Sequence, residues 1–492
     1  MVRRLQRIRP GLRVSMSQQP YQIAGYGPGD ETQGLILPSA TGRPGGLVAA
    51  MVIWVPVLLI AFALYLAGAY RLAALAVGLG MMLHSLLRPY VSVCMLIIII
   101  PLDWMIDVSD IMSASKLVAV WAVIMSLPVI LRAVTNRRPD PLAKWLVPFV
   151  ALPVLLAPAS HNPVWALAWT PTLFLIYSLP LLLSVHFKDR RGIQLMVFCV
   201  LFAGLLNVWF TIQGGVDVLL SKGDTRVDYI SEVGGAGGDN EAARAMCVCA
   251  LGCIFLFMTN RNLLLRVASV ALGVLFVVAV VLTKARACYL ALPASLAVSL
   301  LFLKGGGLSR RIILLVVLMF GGALVWFVGD QIGLWGVGIT KRFSSIFEEG
   351  TKAGNRITFW TGYVKAFFAS GMIGNGFRMT GVSPGFIQYV GHHMSAHNDL
   401  IQILGDMGLL GVILFLGMFV HLFRRIRRME LVWHKAFALS ILAFILLAGL
   451  TESDFWLKYY GLSLGMAVVL IRYDESVREQ AAMDMAYLEQ AE

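Results

Sequence analysis

Apolar runs of roughly 17–24 residues alternate with short polar breaks along most of the chain, which is the pattern of helices that cross a hydrocarbon layer. About fourteen such runs are legible, opening near Leu47, Arg71, Pro89, Lys116, Lys144, Val164, Gly192, Glu241, Leu264, Arg286, Arg311, His397, Ala436 and Phe455. The expected architecture is all-α: a polytopic integral membrane protein of about 12–14 transmembrane helices with a large, partly helical external loop. Two polar stretches stand out, one from about Gln213 to Asn240 and a longer one over 329–396. Within the longer one, "GNRITFWTGYVKAFFAS" has helical spacing, with Ile357, Trp360, Val364, Phe367 and Phe368 on one side, and the glycine-rich "GMIGNGFRMTGVSPG" follows. Loops beyond about 15 residues are uncommon unless functional or disordered, and the aromatics here argue for a stretch folded onto the outer membrane surface. The organisation is therefore an N-terminal tail (1–46), transmembrane helices with an outer loop near 213–240 (47–328), a large outer loop (329–396), C-terminal transmembrane helices (397–472) and a short acidic tail (473–492).

Composition agrees with a membrane setting. Of 492 residues, 59% are hydrophobic and 14% are charged, against about 25% charged in a soluble domain. The net charge of +13 comes from basic clusters at alternate breaks, such as "RAVTNRRPDPLAK", "HFKDRRG" and "HLFRRIRRMELVWHK". The intervening breaks are acidic or neutral, such as "PLDWMIDVSD" and "TESDFW". Basic loops stay in the cytoplasm, so both termini are expected there and the large loop outside. The charge thus reports topology, and no nucleic-acid partner is expected. The N-terminal arginines are not followed directly by an apolar run, which reads as a cytoplasmic tail touching anionic lipid rather than a signal peptide. All six cysteines lie in or beside apolar runs and read as small buried hydrophobes without disulfides. No internal repeat or matched pair of broken helices is visible, and ionisable residues at mid-span are scarce, which counts against a transporter.

The outer loop breaks the charge rule. It places Lys341, Arg342, Lys352, Arg356, Lys365 and Arg378 outside, and Arg286 lies at another outer break. Binding an anionic substrate gives such residues a purpose, since the guanidinium fork matches phosphate geometry. Next comes "GHHMSAHNDLIQILGDMGLLG", with His392, His393 and His397. His393 and His397 are four apart, which suits two metal ligands on one helix face. A cap at Ser395 would break that face, and no metal is expected. A helix from His397 to about Phe423 would be roughly 40 Å long against a core of about 30 Å, so its first two turns should protrude. Asn398, Gln402 and Asp406 share one face of those turns, whose N-terminal dipole end favours an anion. Gly405, Gly408 and Gly411 read as a close helix-packing face.

Three pieces together carry a family resemblance: "LTKAR", then "NRITFW" with the downstream "GNGF", then "AHNDLIQILGDMGLLG". Spanning roughly Leu264 to Leu422, they resemble the O-antigen ligase and polysaccharide polymerase superfamily of bacterial envelope membrane glycosyltransferases. The chain has Ala285 where that family usually has Ser, and "SGMIGNGF" where it often has Pro-x-Gly-x-Gly. The resemblance implies a multi-pass enzyme of the bacterial inner membrane with a periplasmic active site, acting on a glycan carried by undecaprenyl pyrophosphate. It implies inverting transfer without metal or cofactor, with Arg286 and Arg356 holding the pyrophosphate and His397 assisting transfer. Arg378, Lys365, Asn398 and Gln402 are expected to contact substrate. The acceptor would be another lipid-linked glycan, lipid A-core or a protein hydroxyl, with membrane lipids and other polysaccharide assembly proteins as further partners. The rival reading is a flippase or transporter of the same lipid-linked glycan.

Overall fold

The computed structural model describes residues 53, 56–60, 63, 70–100, 114–136, 140–220, 238–283, 285–302, 350–453 and 455–491. Among them every regular element is helical. In chain order these are α1 (Tyr70–Leu87), α2 (Tyr90–Ile99), α3 (Ala114–Asn136), α4 (Ala143–Leu156), α5 (Pro163–His186), α6 (Arg190–Leu220) and α7 (Gly238–Thr259). There follow α8 (Leu263–Leu282), α9 (Arg286–Phe302), α10 (Gly350–Ala369), α11 (Pro384–Val390), α12 (Asp399–Arg428), α13 (Val432–Gly449) and α14 (Lys458–Ala491). Among the described residues, seven helices are long and apolar enough to cross a membrane, namely α3, α5, α6, α7, α8, α12 and α13, with shorter apolar stretches in α1, α2, α4 and α9. The chain is an all-α multi-pass membrane protein, as its hydropathy predicts. The run expected from Arg311, with Lys341 and Arg342, lies outside the described residues. The outer stretch expected from Gln213 is helical as far as Leu220, and α7 opens at Gly238.

Pro38–Asp474 form one compact unit, and α14 beyond Glu475 groups apart from it. Within the unit the first half of α14 is wholly enclosed: Tyr460 and Met466 through Ile471 are buried. Gly461 and Gly465 lie one turn apart, and a Cβ on either would strike Ile176 or Leu183 of α5. Small residues at this spacing let two helix backbones approach closely where lipid provides no hydrophobic drive. Around this contact Phe149, Tyr177, Phe415, Phe455 and Tyr460 form an aromatic cluster, with Phe149 and Tyr177 5.0 Å apart edge to face. The Tyr177 hydroxyl donates to the Phe455 carbonyl at 3.1 Å, so the cluster supports the α13–α14 connection from below.

The end of the unit rich in basic residues is closed by Asp140. Its carboxylate accepts Arg425 Nη1 at 2.9 Å and Arg472 Nε at 2.7 Å, joining the α3–α4 turn to α12 and α14. Burial pushes this carboxyl up, but Arg425, the Leu142 amide and Arg472 more than offset that and hold it below the ordinary aspartate range. Nearby, Asp474 accepts the Glu430 and Leu431 amides at 2.9 and 2.8 Å, and Lys435 Nζ donates to the Arg427 carbonyl at 2.7 Å, at the end of α12. Removing one partner from a buried ion network leaves charge without compensation. Asp140→Asn is therefore expected to lose about 3 kcal/mol of stability at neutral pH, read as a lower thermal midpoint in detergent. A depressed carboxylate contributes stability above its unfolded value and loses it as pH falls through the folded one. The gap between wild type and variant should therefore close only in strongly acid buffer.

Candidate functional site

The site lies at the opposite end and begins with an interrupted helix. Gly408 in α12 has φ 68° and ψ −167°, so the helix predicted to run unbroken from His397 to about Phe423 is two pieces. The second piece, from Leu409 to Arg428, is about 20 residues or roughly 30 Å, the thickness of a hydrocarbon core. The loop after α10 fills the break. Amides of Asn375 and Gly376 donate to the carbonyls of Gly405 and Asp406 at 2.9 Å each, and the Leu409 amide reaches the Met372 carbonyl at 3.4 Å. Gly374 and Gly376 adopt φ of 99° and 95° to do so, a region that glycine enters without steric cost. Of the glycines read as a helix-packing face, Gly405 does face a helix, since a Cβ there would meet Tyr363 of α10 as well as Thr380, whereas Gly408 accepts the loop, where a Cβ would meet the Ile373 carbonyl. Asp406, wholly buried, fixes the loop by accepting the amides of Arg378 and Thr380 at 3.0 Å each, and Gln402 Nε2 at 2.8 Å.

The helix itself starts at Asp399, two residues later than predicted, and its cap is Asn398 rather than Ser395. Asn398 is extended, and its Oδ1 accepts the Ile401 amide at 3.1 Å, satisfying one of the orphan donors of the first turn. His397 is left outside the helix at φ 49°, a left-handed conformation uncommon for a residue with a Cβ. Hydrogen bonds hold this turn on both sides. The Asn398 amide donates to Ser453 Oγ at 3.3 Å and its Nδ2 to the Leu450 carbonyl at 3.1 Å. The Phe455 amide donates to Asp399 Oδ1 at 3.0 Å, the Ala396 amide to Gln402 Oε1 at 2.8 Å, and Trp360 Nε1 to the Ala396 carbonyl at 2.9 Å. The imidazole so placed sets Nδ1 2.6 Å from Oε2 of Glu452, on the connection between α13 and α14. Burial raises the Glu452 carboxyl, but the bond and charge of His397, with Arg244 and Arg356, outweigh it and keep Glu452 below the ordinary range. The pair is therefore a carboxylate fixing an imidazole. Facing a carboxylate, Nδ1 carries the hydrogen and donates, which leaves Nε2 on the far side of the ring.

The predicted residues fall into distinct places. Arg356 is exposed on α10, with its charge felt at Glu452. Arg286 opens α9, and its side chain lies outside the described residues. Arg378, at φ 61°, sets its guanidinium carbon 3.8 Å from the Trp169 ring centre and 4.9 Å from that of Trp456. Lys365 is also exposed and places Nζ 3.7 Å from the ring centre of Tyr389. Asn398 and Gln402 are buried, with polar atoms engaged in the bonds already described. The histidines do not gather: His392 packs edge-on to Phe359, His393 is exposed on the loop, and His397 pairs with Glu452. Among the described residues no group of three or more His, Cys, Asp and Glu is placed to hold a metal ion.

Sequence reasoning missed Glu452, Arg244, Trp169 and Trp456. Glu452 is 55 residues from His397 in "TESDFW", which reads only as an acidic break. Arg244 is buried in the opening turns of α7, its guanidinium carbon 6.0 Å from the Tyr459 ring centre. An arginine this close to the start of an apolar run was the available signal.

Two backbone donors, one buried and one partly buried, depend on the Asp406 carboxylate, and leaving them without an acceptor is costly. Asp406→Ala is expected to lose about 3 kcal/mol and to speed hydrogen exchange at the Arg378 and Thr380 amides by about tenfold or more. Wild-type exchange at both amides would show that the loop is held otherwise.

Residues 271–416 match the family model described as O-antigen ligase. The match takes in Arg286, Arg356, Arg378, His397 and the break in α12, and it stops before Glu452. No curated protein matches the chain. Over this span, about a third of the chain, the protein is similar to the O-antigen ligase family.

Proposed function

We propose that the protein is a bacterial inner-membrane glycosyltransferase that moves a glycan from undecaprenyl pyrophosphate to an acceptor hydroxyl at the periplasmic face. The observation that carries this reading is the His397 Nδ1–Glu452 Oε2 pair at 2.6 Å, with the charges of Arg244 and Arg356 near it. The pair lies at the end of the helices away from the Asp140–Arg425–Arg472 network. Basic residues mark the cytoplasmic side, which gives the site a periplasmic setting and cytoplasmic termini.

In this mechanism the acceptor oxygen attacks the anomeric carbon of the donor sugar as the bond to the pyrophosphate oxygen breaks, inverting that centre. His397 Nε2 takes the hydroxyl proton, and Glu452 stabilises the imidazolium that forms. The bond electrons leave with undecaprenyl pyrophosphate, whose growing charge is stabilised by Arg356 and Arg286. Asn398 and Gln402 act by fixing the turn that carries His397, and Lys365, exposed beside Tyr389, is the proposed contact for the glycan. No cofactor is required, because the leaving group is already good. The acceptor is a second lipid-linked glycan, in surface-polysaccharide polymerisation, or lipid A-core, in ligation.

Purified protein supplied with lipid-linked glycan tests this. Transfer with release of undecaprenyl pyrophosphate is expected, as a lengthening ladder for a polymerase or as one addition to lipid A-core for a ligase. His397→Ala and Glu452→Gln should each lower turnover by about 10²–10⁴-fold, and Arg356→Ala by about 10²–10³-fold. Full transfer by both His397→Ala and Arg356→Ala would overturn the reading.

A further inference from the structure

The half-buried guanidinium of Arg378 occupies an unusual position. Trp169, from α5, and Trp456, from the α13–α14 connection, approach it from two separate elements. Phe377 packs edge-on to Trp456 and holds that indole in place. Stacking on aromatic faces occupies the planes of a guanidinium and leaves its in-plane N–H donors for an acceptor. Among the described residues no ion pair involves this guanidinium. The Asp406 carboxylate just beneath is bonded to the backbone amides of Arg378 and Thr380 and to Gln402. Burial pushes the Arg378 guanidinium below its ordinary value, and the charge of the Asp406 carboxylate acts against that. A second cation converges on the same indole, with Lys116 Nζ 5.7 Å from the Trp169 ring centre. The backbone here is strained as well, since Arg378 is one of three non-glycine residues with positive φ among those described. Strain of this kind persists where the surroundings over-determine it.

We infer that Arg378, flanked by Trp169 and Trp456, is a substrate-anchoring residue whose open edge binds an oxyanion of the lipid-linked glycan, either a sugar carboxylate or the lipid pyrophosphate. This rests on the glycan-transfer reading for its substrate, and it adds a binding point distinct from the His397–Glu452 pair. The two indoles hold the plane of the guanidinium, so that its fork is presented edge-on to the anion. A lysine in place of Arg378 would keep the charge and lose the bidentate fork.

Indoles beside the anchor provide a direct readout. Full-length protein in detergent micelles would be titrated by intrinsic fluorescence with three probes. These are undecaprenyl pyrophosphate, an undecaprenyl-pyrophosphate-linked disaccharide containing glucuronate, and the same carrier with a glucose-only disaccharide. Arg378→Met is expected to weaken binding about 10- to 100-fold, the range for loss of a charged hydrogen-bonding partner, with Arg378→Lys intermediate. A loss confined to the glucuronate probe identifies a sugar carboxylate, and an equal loss with all three identifies the pyrophosphate. The ligand-induced fluorescence change should shrink in the Trp169→Phe/Trp456→Phe double variant, which keeps aromatic walls and answers the question even where Arg378→Met fails to fold. Wild-type affinity for all three probes in Arg378→Met, an undiminished change in the double variant, or no change in wild type would each overturn the proposal. Absence of glycan transfer by wild type with the binding pattern intact would overturn the transferase reading alone.

Discussion

A membrane helix cannot leave its backbone polar groups without partners, and the organisation of the site follows from how α12 meets that constraint at Gly408. The break frees the carbonyls of Gly405 and Asp406, and the loop after α10 supplies the amides of Asn375 and Gly376 to them. Irregular backbone at the edge of the hydrocarbon layer is held here because protein covers it. The loop and the helix therefore depend on each other, and the Asp406 carboxylate locks them by taking two loop amides. One buried carboxylate thus sets the register between the segment bearing Arg378 and the segment bearing His397.

That register places both residues in left-handed backbone. For a residue with a Cβ this conformation costs on the order of 1–2 kcal/mol, so each needs a compensating set of contacts. For His397 these come from the Asn398 cap and the bonds to Leu450, Ser453 and Phe455. For Arg378 they come from Asp406 and the two indoles. The strained turns carry the proposed base and the proposed anchor, while the polar residues around them, Asn398 and Gln402 among them, hold those turns still.

Much of this was legible in the sequence, and the remainder was hidden for identifiable reasons. Hydropathy gave an all-α membrane protein because run length in a bilayer is a strong physical signal. The helix over "GNRITFWTGYVKAFFAS" was readable from its aromatic spacing. The break at Gly408 was not, since a glycine in an apolar run fits a packing face as well as a kink. What distinguishes the two is the partner, a loop some thirty residues upstream, where Asn375 contacts Gly405. Arg378 was visible as a cation outside, but the indoles flanking it lie far from it in sequence, at positions 169 and 456. Glu452 had no local pattern at all, because its meaning comes only from pairing with His397.

The pairing also changes where the working unit ends. The family match closes at residue 416, within α12, yet the carboxylate facing His397 lies beyond α13. The α13–α14 connection further supplies Trp456 to Arg378, and its Phe455 amide bonds Asp399. Gly449 leaves room for that carboxylate, where a Cβ would collide with it. The connection is itself held by the aromatic cluster and by the seat of α14 on α5 through Gly461 and Gly465. A rigid base under the imidazole is what a general-base role demands, since a misplacement of about 1 Å can cost two orders of magnitude in rate. The last two helices are therefore part of the proposed catalytic unit, with the buried glycine contacts of α14 seating the connection that carries Glu452.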